Sequence, residues 1–270
     1  RPGDAVLCEE GAHVYRYEGG GMMANSGCSV KFLPHDRGRF TAEAVEAAID
    51  PLDNPHLPRT RLVTVENTSN RGGGAVWDIE EVAHIRKVCD RHGLSLHLDG
   101  ARIFNAITVD GTKPQQWGGL FHSISICFSK GLGAPVGSVL TGSKEFIFHA
   151  RRTRKRWGGG MRQAGILAAG AMHALDNHVL RLKQDHERAA HLGSALTRLP
   201  WVERILPVET NIVVFLLREP SRVNALLNEL SAHGVLAVPF GPGAVRFVTH
   251  LDLDDSAIDR VITVLNRIKA

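Results

Sequence analysis

Short apolar strands alternate with amphipathic helices along most of this chain, and that order leaves few folds open. Ala5-Val6-Leu7-Cys8 and Lys31-Phe32-Leu33 are short apolar runs, and Leu62-Val63-Thr64-Val65 reads as a buried strand. Leu94, Leu96 and Leu98 alternate with Ser95, His97 and Asp99, the period of two of a strand with unlike faces. Ser123–Ser129 and Val136–Thr141 follow in the same style. Between the strands lie helix signals. The Thr41 hydroxyl can accept from an orphan N–H and cap a helix running to Ile49. Asp78-Ile79-Glu80-Glu81 resembles a capping box, and the helix after it carries Ile79, Val82, Ile85 and Val88/Cys89 on one stripe. Gly93 then supplies a left-handed stop. Strand–helix alternation of this kind predicts an α/β fold with a mostly parallel sheet flanked by helices. Further helices are expected at Ser143–Arg156, Arg162–His178 and Leu180–Leu199. Beyond residue 200 the texture changes. Strands are expected at Val202–Leu206, Asn211–Leu217, Val235–Val238 and Ala244–Val248, with helices at Ser221–His233 and Asp254–Lys269. That part reads as a smaller α+β domain, so the expected division is residues 1–178 and 179–270.

Composition narrows the function classes. With 43% hydrophobic and 22% charged residues the 270-residue chain is neither disordered nor a rod. No apolar run approaches the ~20 residues of a membrane span. The net charge of +4 is mild, and only Arg151, Arg152, Arg154, Lys155 and Arg156 cluster densely. They read as a solvated helix face or an anion-binding patch, and nucleic-acid binding is not expected. Cys8, Cys28, Cys89 and Cys127 are widely spaced, with no Cys-x-x-Cys pair. This fits free thiols in a reducing, cytoplasmic setting.

The unusual polar residues collect just after the strands, where open parallel sheets bind ligands. His13 follows the first strand. Glu66-Asn67-Thr68-Ser69-Asn70 follows Leu62–Val65 and leads into the glycine-rich stretch ending at Gly74. Asp99-Gly100-Ala101-Arg102 and Ser129-Lys130-Gly131-Leu132-Gly133 follow the next two. A lysine directly after an apolar strand and beside two glycines places an amine nucleophile in a crevice. A strand-end aspartate before such a lysine suits pyridoxal phosphate. The lysine forms a Schiff base with it, and the aspartate pairs with the pyridine nitrogen and keeps the ring an electron sink. His13 is placed to cover the ring. His97 shares a sheet face with Asp99; a structural hydrogen bond is its expected task, and no metal partners accompany it.

These motifs give the chain a resemblance to the low-specificity L-threonine aldolases, pyridoxal-phosphate lyases of the aspartate-aminotransferase-like fold type I. The carrying segments include Glu9–Tyr15, Glu66-Asn67-Thr68, Leu96–Ala106, Phe128–Ser138, Gly158-Gly159-Gly160-Met161-Arg162-Gln163 and Arg246–Asp252. The resemblance implies retro-aldol cleavage of threonine, allo-threonine and related β-hydroxy-α-amino acids to glycine and an aldehyde. It implies that Lys130 carries the cofactor, Asp99 pairs with its ring nitrogen, and His13 stacks on the ring and is a candidate base. Arg246 would grip the substrate carboxylate, since a forked guanidinium matches it. Arg102 would bond near the cofactor or substrate, and Tyr17 would border the substrate side chain. Lys155 and Arg162 would approach the phosphate from a neighbouring subunit, in a homo-oligomer built as a dimer of dimers.

Two departures accompany the resemblance. The family usually carries histidine where this chain has Ser69, so Ser69 is expected to hydrogen-bond the substrate hydroxyl without acting as a base. The resemblance also implies a Ser-Asp-Thr segment and a Ser-Gly-Thr loop cradling the phosphate. Neither occurs here, and their place would be upstream of Arg1. The chain is therefore expected to be a piece of a longer protein or a short form without that cradle. The alternatives in function are a β-eliminating lyase of the same fold and a chain that folds but holds cofactor poorly.

Overall fold

The computed structural model describes residues 1–268. In chain order the first elements are β1 (Asp4–Cys8), α1 (His13–Arg16), α2 (Gly21–Ser26), β2 (Ser29–Phe32), α3 (Ala42–Ala48) and β3 (Arg59–Glu66). Next come α4 (Ile79–His92), β4 (Ser95–Asp99), α5 (Ile103–Asp110), α6 (Pro114–Leu120), β5 (Ser123–Cys127) and β6 (Ser138–Gly142). Three long helices follow, α7 (Lys144–Arg156), α8 (Gly165–His178) and α9 (Leu182–Leu196). The last elements are β7 (Val202–Ile205), β8 (Ile212–Leu217), α10 (Val223–Ala232), β9 (Val238–Gly241), β10 (Ala244–Val248) and α11 (Asp255–Arg267). The expected final residue of the last helix, Lys269, lies outside the described residues.

Six strands form the first sheet in the order β2-β1-β3-β4-β5-β6. All neighbours run parallel except β6, which is antiparallel to β5 at the edge. Leu7, Val63, Val65, Leu96 and Leu98 are buried in its core together with Val82, Ile85 and Cys89 of α4 and the large rings Trp77 and Trp117. Each such side chain withdrawn from water contributes about 1.5–3 kcal/mol. The second sheet is antiparallel throughout, β7-β8-β10-β9, and packs Val213, Phe215 and Phe247 against α9, α10 and α11.

A buried polar network joins the two sheets' surroundings. Asn105 of α5 donates to Asn211 beside β8 (3.3 Å) and lies 3.1 Å from His186 of α9. Asn211 in turn donates to the Thr249 carbonyl (2.9 Å). Burial pushes His186 down to about 4, so it is neutral near pH 7 and the network stays uncharged there.

Helix ends follow local chemistry. The Thr41 hydroxyl accepts from the Ala44 N–H (3.2 Å), and Gly93 closes α4 at φ 63°. The capping box expected at Asp78 is only half formed. Asp78 accepts from Glu80, but Glu81 reaches across to accept the Ala42 N–H of α3 (2.7 Å), stitching two helices. Helix α8 starts three residues late because Gln163 takes a positive φ of 54°. The strand expected at Val235–Val238 is displaced to Val238–Gly241. Val235 donates its N–H back to Leu230 to close α10 and cannot also begin a strand.

Candidate active site

The carboxyl ends of β1, β3, β4 and β5 and the edge of the second sheet enclose a cavity of about 450 Å³, within the range of small-molecule sites. Six residues chosen from the sequence line it: Lys130, Asp99, His13, Arg102, Arg246 and Tyr17. Lys130 sits two residues beyond Phe128, which is buried, where the chain turns through Gly133 at φ 69°. Gly131 is also closely packed, since a Cβ there would fall 3.1 Å from Leu182 and 3.3 Å from Asn105. The glycines thus fix how the lysine leaves β5.

Asp99 ends β4 and is 8% exposed. One of its oxygens accepts the Ala101 N–H (3.1 Å); the other has no protein donor among the described residues. Its register partner on β3 is Glu66, so the two carboxylates stand side by side on one face. Burial first, and Asp99 second, push Glu66 up to about 7. His13 opens α1. Its Nδ1 lies 3.1 Å from Glu18 Oε1 and its ring centroid 5.2 Å from that of Tyr17.

The cavity carries three guanidinium groups. Arg246 of β10 donates to Asn70 Oδ1 (2.7 Å) and lies over the Phe240 ring at 4.8 Å, while its Nε is buried without a partner. Arg71 lies between the Phe240 and Tyr17 rings, 4.7 and 5.6 Å from their centroids. Arg102 has no acceptor among the described residues, and burial followed by Arg246 pushes its guanidinium down. None of the three is paired with a carboxylate among the described residues, and half-buried guanidiniums left so suit an anionic ligand.

Three residues expected at the site, Ser69, Lys155 and Arg162, do not line this cavity. Ser69 is fully buried and off the cavity wall. Its hydroxyl accepts the Gly72 N–H (3.1 Å), and a Cβ at Gly38 would fall only 2.2 Å from it. The serine therefore closes the 70–74 turn instead of facing a substrate. Ser69→His is expected to overpack this turn and cost about 1–3 kcal/mol, visible as a lowered thermal midpoint. A variant as stable as the parent with an altered threonine to allo-threonine ratio would contradict this. Lys155 and Arg162 are exposed and do not line the cavity. The glycines between them fold back on α7, where a Cβ at Gly160 would meet the Lys155 stem at 2.9 Å. His97 makes a structural hydrogen bond, as expected: its Nδ1 lies 2.8 Å from Ser123 Oγ.

Sequence reasoning missed the roles of Glu66, Asn70 and Arg71, and the whole β9 wall, Val238 to Gly241. The first three stood in a quoted motif or glycine-rich loop. For β9 the strand was expected earlier, at Val235–Val238; Pro239 within the observed strand is tolerated because β9 is an edge strand.

The beta-eliminating lyase family model matches residues 1–220. The chain belongs to the beta-eliminating lyase family. Within it, Arabidopsis thaliana low-specificity L-threonine aldolase 1 is 36% identical over 261 residues, covering 95% of this chain and 73% of the relative. The Escherichia coli K12 low specificity L-threonine aldolase is 37% identical over 264 residues, covering 96% and 75%. The solved Leishmania major threonine aldolase shares the fold, with a TM-score of 0.84 at 24% identity over 100% of this chain and 79% of its own. The chain thus has the aspartate-aminotransferase-like architecture expected of this lyase family.

Proposed function

We propose that this chain is a pyridoxal-phosphate-dependent lyase that cleaves L-threonine and related β-hydroxy-α-amino acids to glycine and an aldehyde. The observation that carries this reading is the meeting of Lys130, Asp99, His13, Arg102 and Arg246 in one cavity, in a chain whose relatives bear the aldolase name. The residues fit the cofactor. An amine, a carboxylate with a free oxygen, the half-buried Arg102 guanidinium and the buried, unpartnered Nε of Arg246 match its aldehyde, its ring nitrogen and the anionic groups of cofactor and substrate.

Pyridoxal phosphate, when bound, supplies an electron-withdrawing ring that takes up the electron pair released as the substrate Cα–Cβ bond breaks. Lys130 would hold it covalently through Nζ, and the free oxygen of Asp99 would keep a proton on the ring nitrogen. Arg246, oriented by Asn70 and Phe240, would hold the substrate carboxylate bidentately, with Arg102 beside it. His13 would cover the ring. With Nδ1 turned to Glu18, its Nε2 is the nitrogen available to take the β-hydroxyl proton. Tyr17 would border the substrate side chain. Incubation with L-threonine and added cofactor tests the reading. Glycine and acetaldehyde in equal amounts are expected; 2-oxobutanoate and ammonia would instead mark β-elimination, and no product would mark a chain that holds cofactor poorly.

The same reading includes a homo-oligomer, a dimer of dimers, in a cytoplasmic setting. β6 is exposed along its whole length, and α7 buries no residue. Phe146, Phe148, Trp157, Met161, Ile166 and Met172 are all exposed, Trp157 at 62%. Apolar area on this scale marks a protein contact. Lys155 and Arg162 lie in this same stretch, which supports their reaching a neighbouring subunit's phosphate. Phe148→Glu with Trp157→Glu is expected to reduce the mass measured by light scattering; an unchanged mass would place the contact elsewhere. Cys8 and Cys89 are buried thiols pushed up to about 12, and all four cysteines are free. Among the described residues no helix is long and apolar enough to cross a membrane. The reading divides the chain between residues 178 and 179, at the end of α8.

A further inference from the structure

Resting on that reading, we infer that Glu66 is a positioning residue that couples the ring-covering side of the cavity to its carboxylate-gripping side. Glu66 is the last residue of β3 and is 7% exposed. One carboxylate oxygen accepts the His13 N–H (2.7 Å) and the other the Asn70 N–H (2.8 Å). Asn70 then accepts from Arg246 through its own side chain. One carboxylate thus spans from α1, which presents His13, to the loop that aims Arg246. Its backbone is pinned as well, because the buried Trp77 indole donates to the Glu66 carbonyl (2.9 Å).

The chemistry requires a carboxylate at this place. Two converging N–H donors need two acceptor oxygens. Glutamine offers one oxygen and turns an NH₂ donor against the other N–H. Aspartate is one methylene shorter and cannot keep both bonds without drawing the two segments together. Burial and the adjacent Asp99 oppose the charge, and the two N–H donors favour it.

The test has two arms on the full chain. Amide hydrogen exchange, with and without pyridoxal phosphate, is expected to quicken at least ~10-fold at His13 or Asn70 in Glu66→Gln. The Gly100 N–H, held by the Ser125 carbonyl, serves as an unaffected reference. Kinetics supply the second arm. Glu66→Gln should raise the KM for threonine ~10-fold, as should Asn70→Ala, and the double variant should be no worse in KM than the worse single one, because both act on Arg246. Unchanged amide protection, or KM effects that multiply, would overturn the inference. Glu66→Asp is read the same way if the glutamine variant does not fold. A parent chain that forms no adduct with the cofactor would defeat the lyase reading instead, and the exchange arm would still judge the role of Glu66.

Discussion

Lys130→Ala is expected to abolish the visible absorption band formed on adding pyridoxal phosphate and to lower threonine cleavage by on the order of 10³-fold or more. The argument is one of supply. Among the described residues no other lysine lines the cavity. The guanidinium groups of Arg71, Arg102 and Arg246 are not amines and cannot replace the lysine as a nucleophile. Lys130 leaves β5 between a buried phenylalanine and the closely packed Gly131 and Gly133, so the truncation removes a side chain without disturbing the core. Absorbance titration and product analysis on the same preparation check it. A variant that keeps both band and activity would remove Lys130 from the account.

Asp99→Asn is expected to lower kcat by about 10²–10³-fold while the thermal midpoint stays within a few degrees. The amide oxygen can still accept the Ala101 N–H, so local structure is kept. What is lost is the negative charge that would hold a proton on the ring nitrogen, and with it the ring's capacity to take up electrons. The substitution also acts on its register partner. Removing the Asp99 charge lets Glu66 ionise at a lower pH, since Asp99 is the second cause, after burial, of its upward shift. A pH series of kcat for both chains checks this. A variant within ~3-fold of the parent would show that the ring nitrogen is not served by Asp99.

Much of this was legible in the residues, for definite reasons. The period of two in Leu94–Asp99 sets the strand that carries Asp99, and the stripe Ile79–Cys89 the helix that leads into it. The apolar run before Lys130 set the other half of the pair. Such patterns are local and survive without knowledge of the partner strands. The roles of Glu66 and Ser69 were not legible, because both depend on loop returns. Glu66 acts through backbone N–H groups 53 and four residues away in sequence. Ser69 is walled in by Gly38, and nothing in the motif around it announces that contact. Likewise β9 carries a proline that signals against a strand, and only its edge position makes it admissible. The exposure of the apolar residues of β6 and α7 was equally hidden, since whether a neighbour covers them depends on the fold and not on the local pattern.

The most direct measurement is chemical mapping of the cofactor. The full chain is incubated with pyridoxal phosphate, reduced with borohydride, digested and analysed by mass spectrometry. The account predicts one dominant pyridoxyl adduct, on the peptide containing Lys130, and its loss in Lys130→Ala. An adduct centred on Lys155, or spread evenly over the surface lysines, would contradict it.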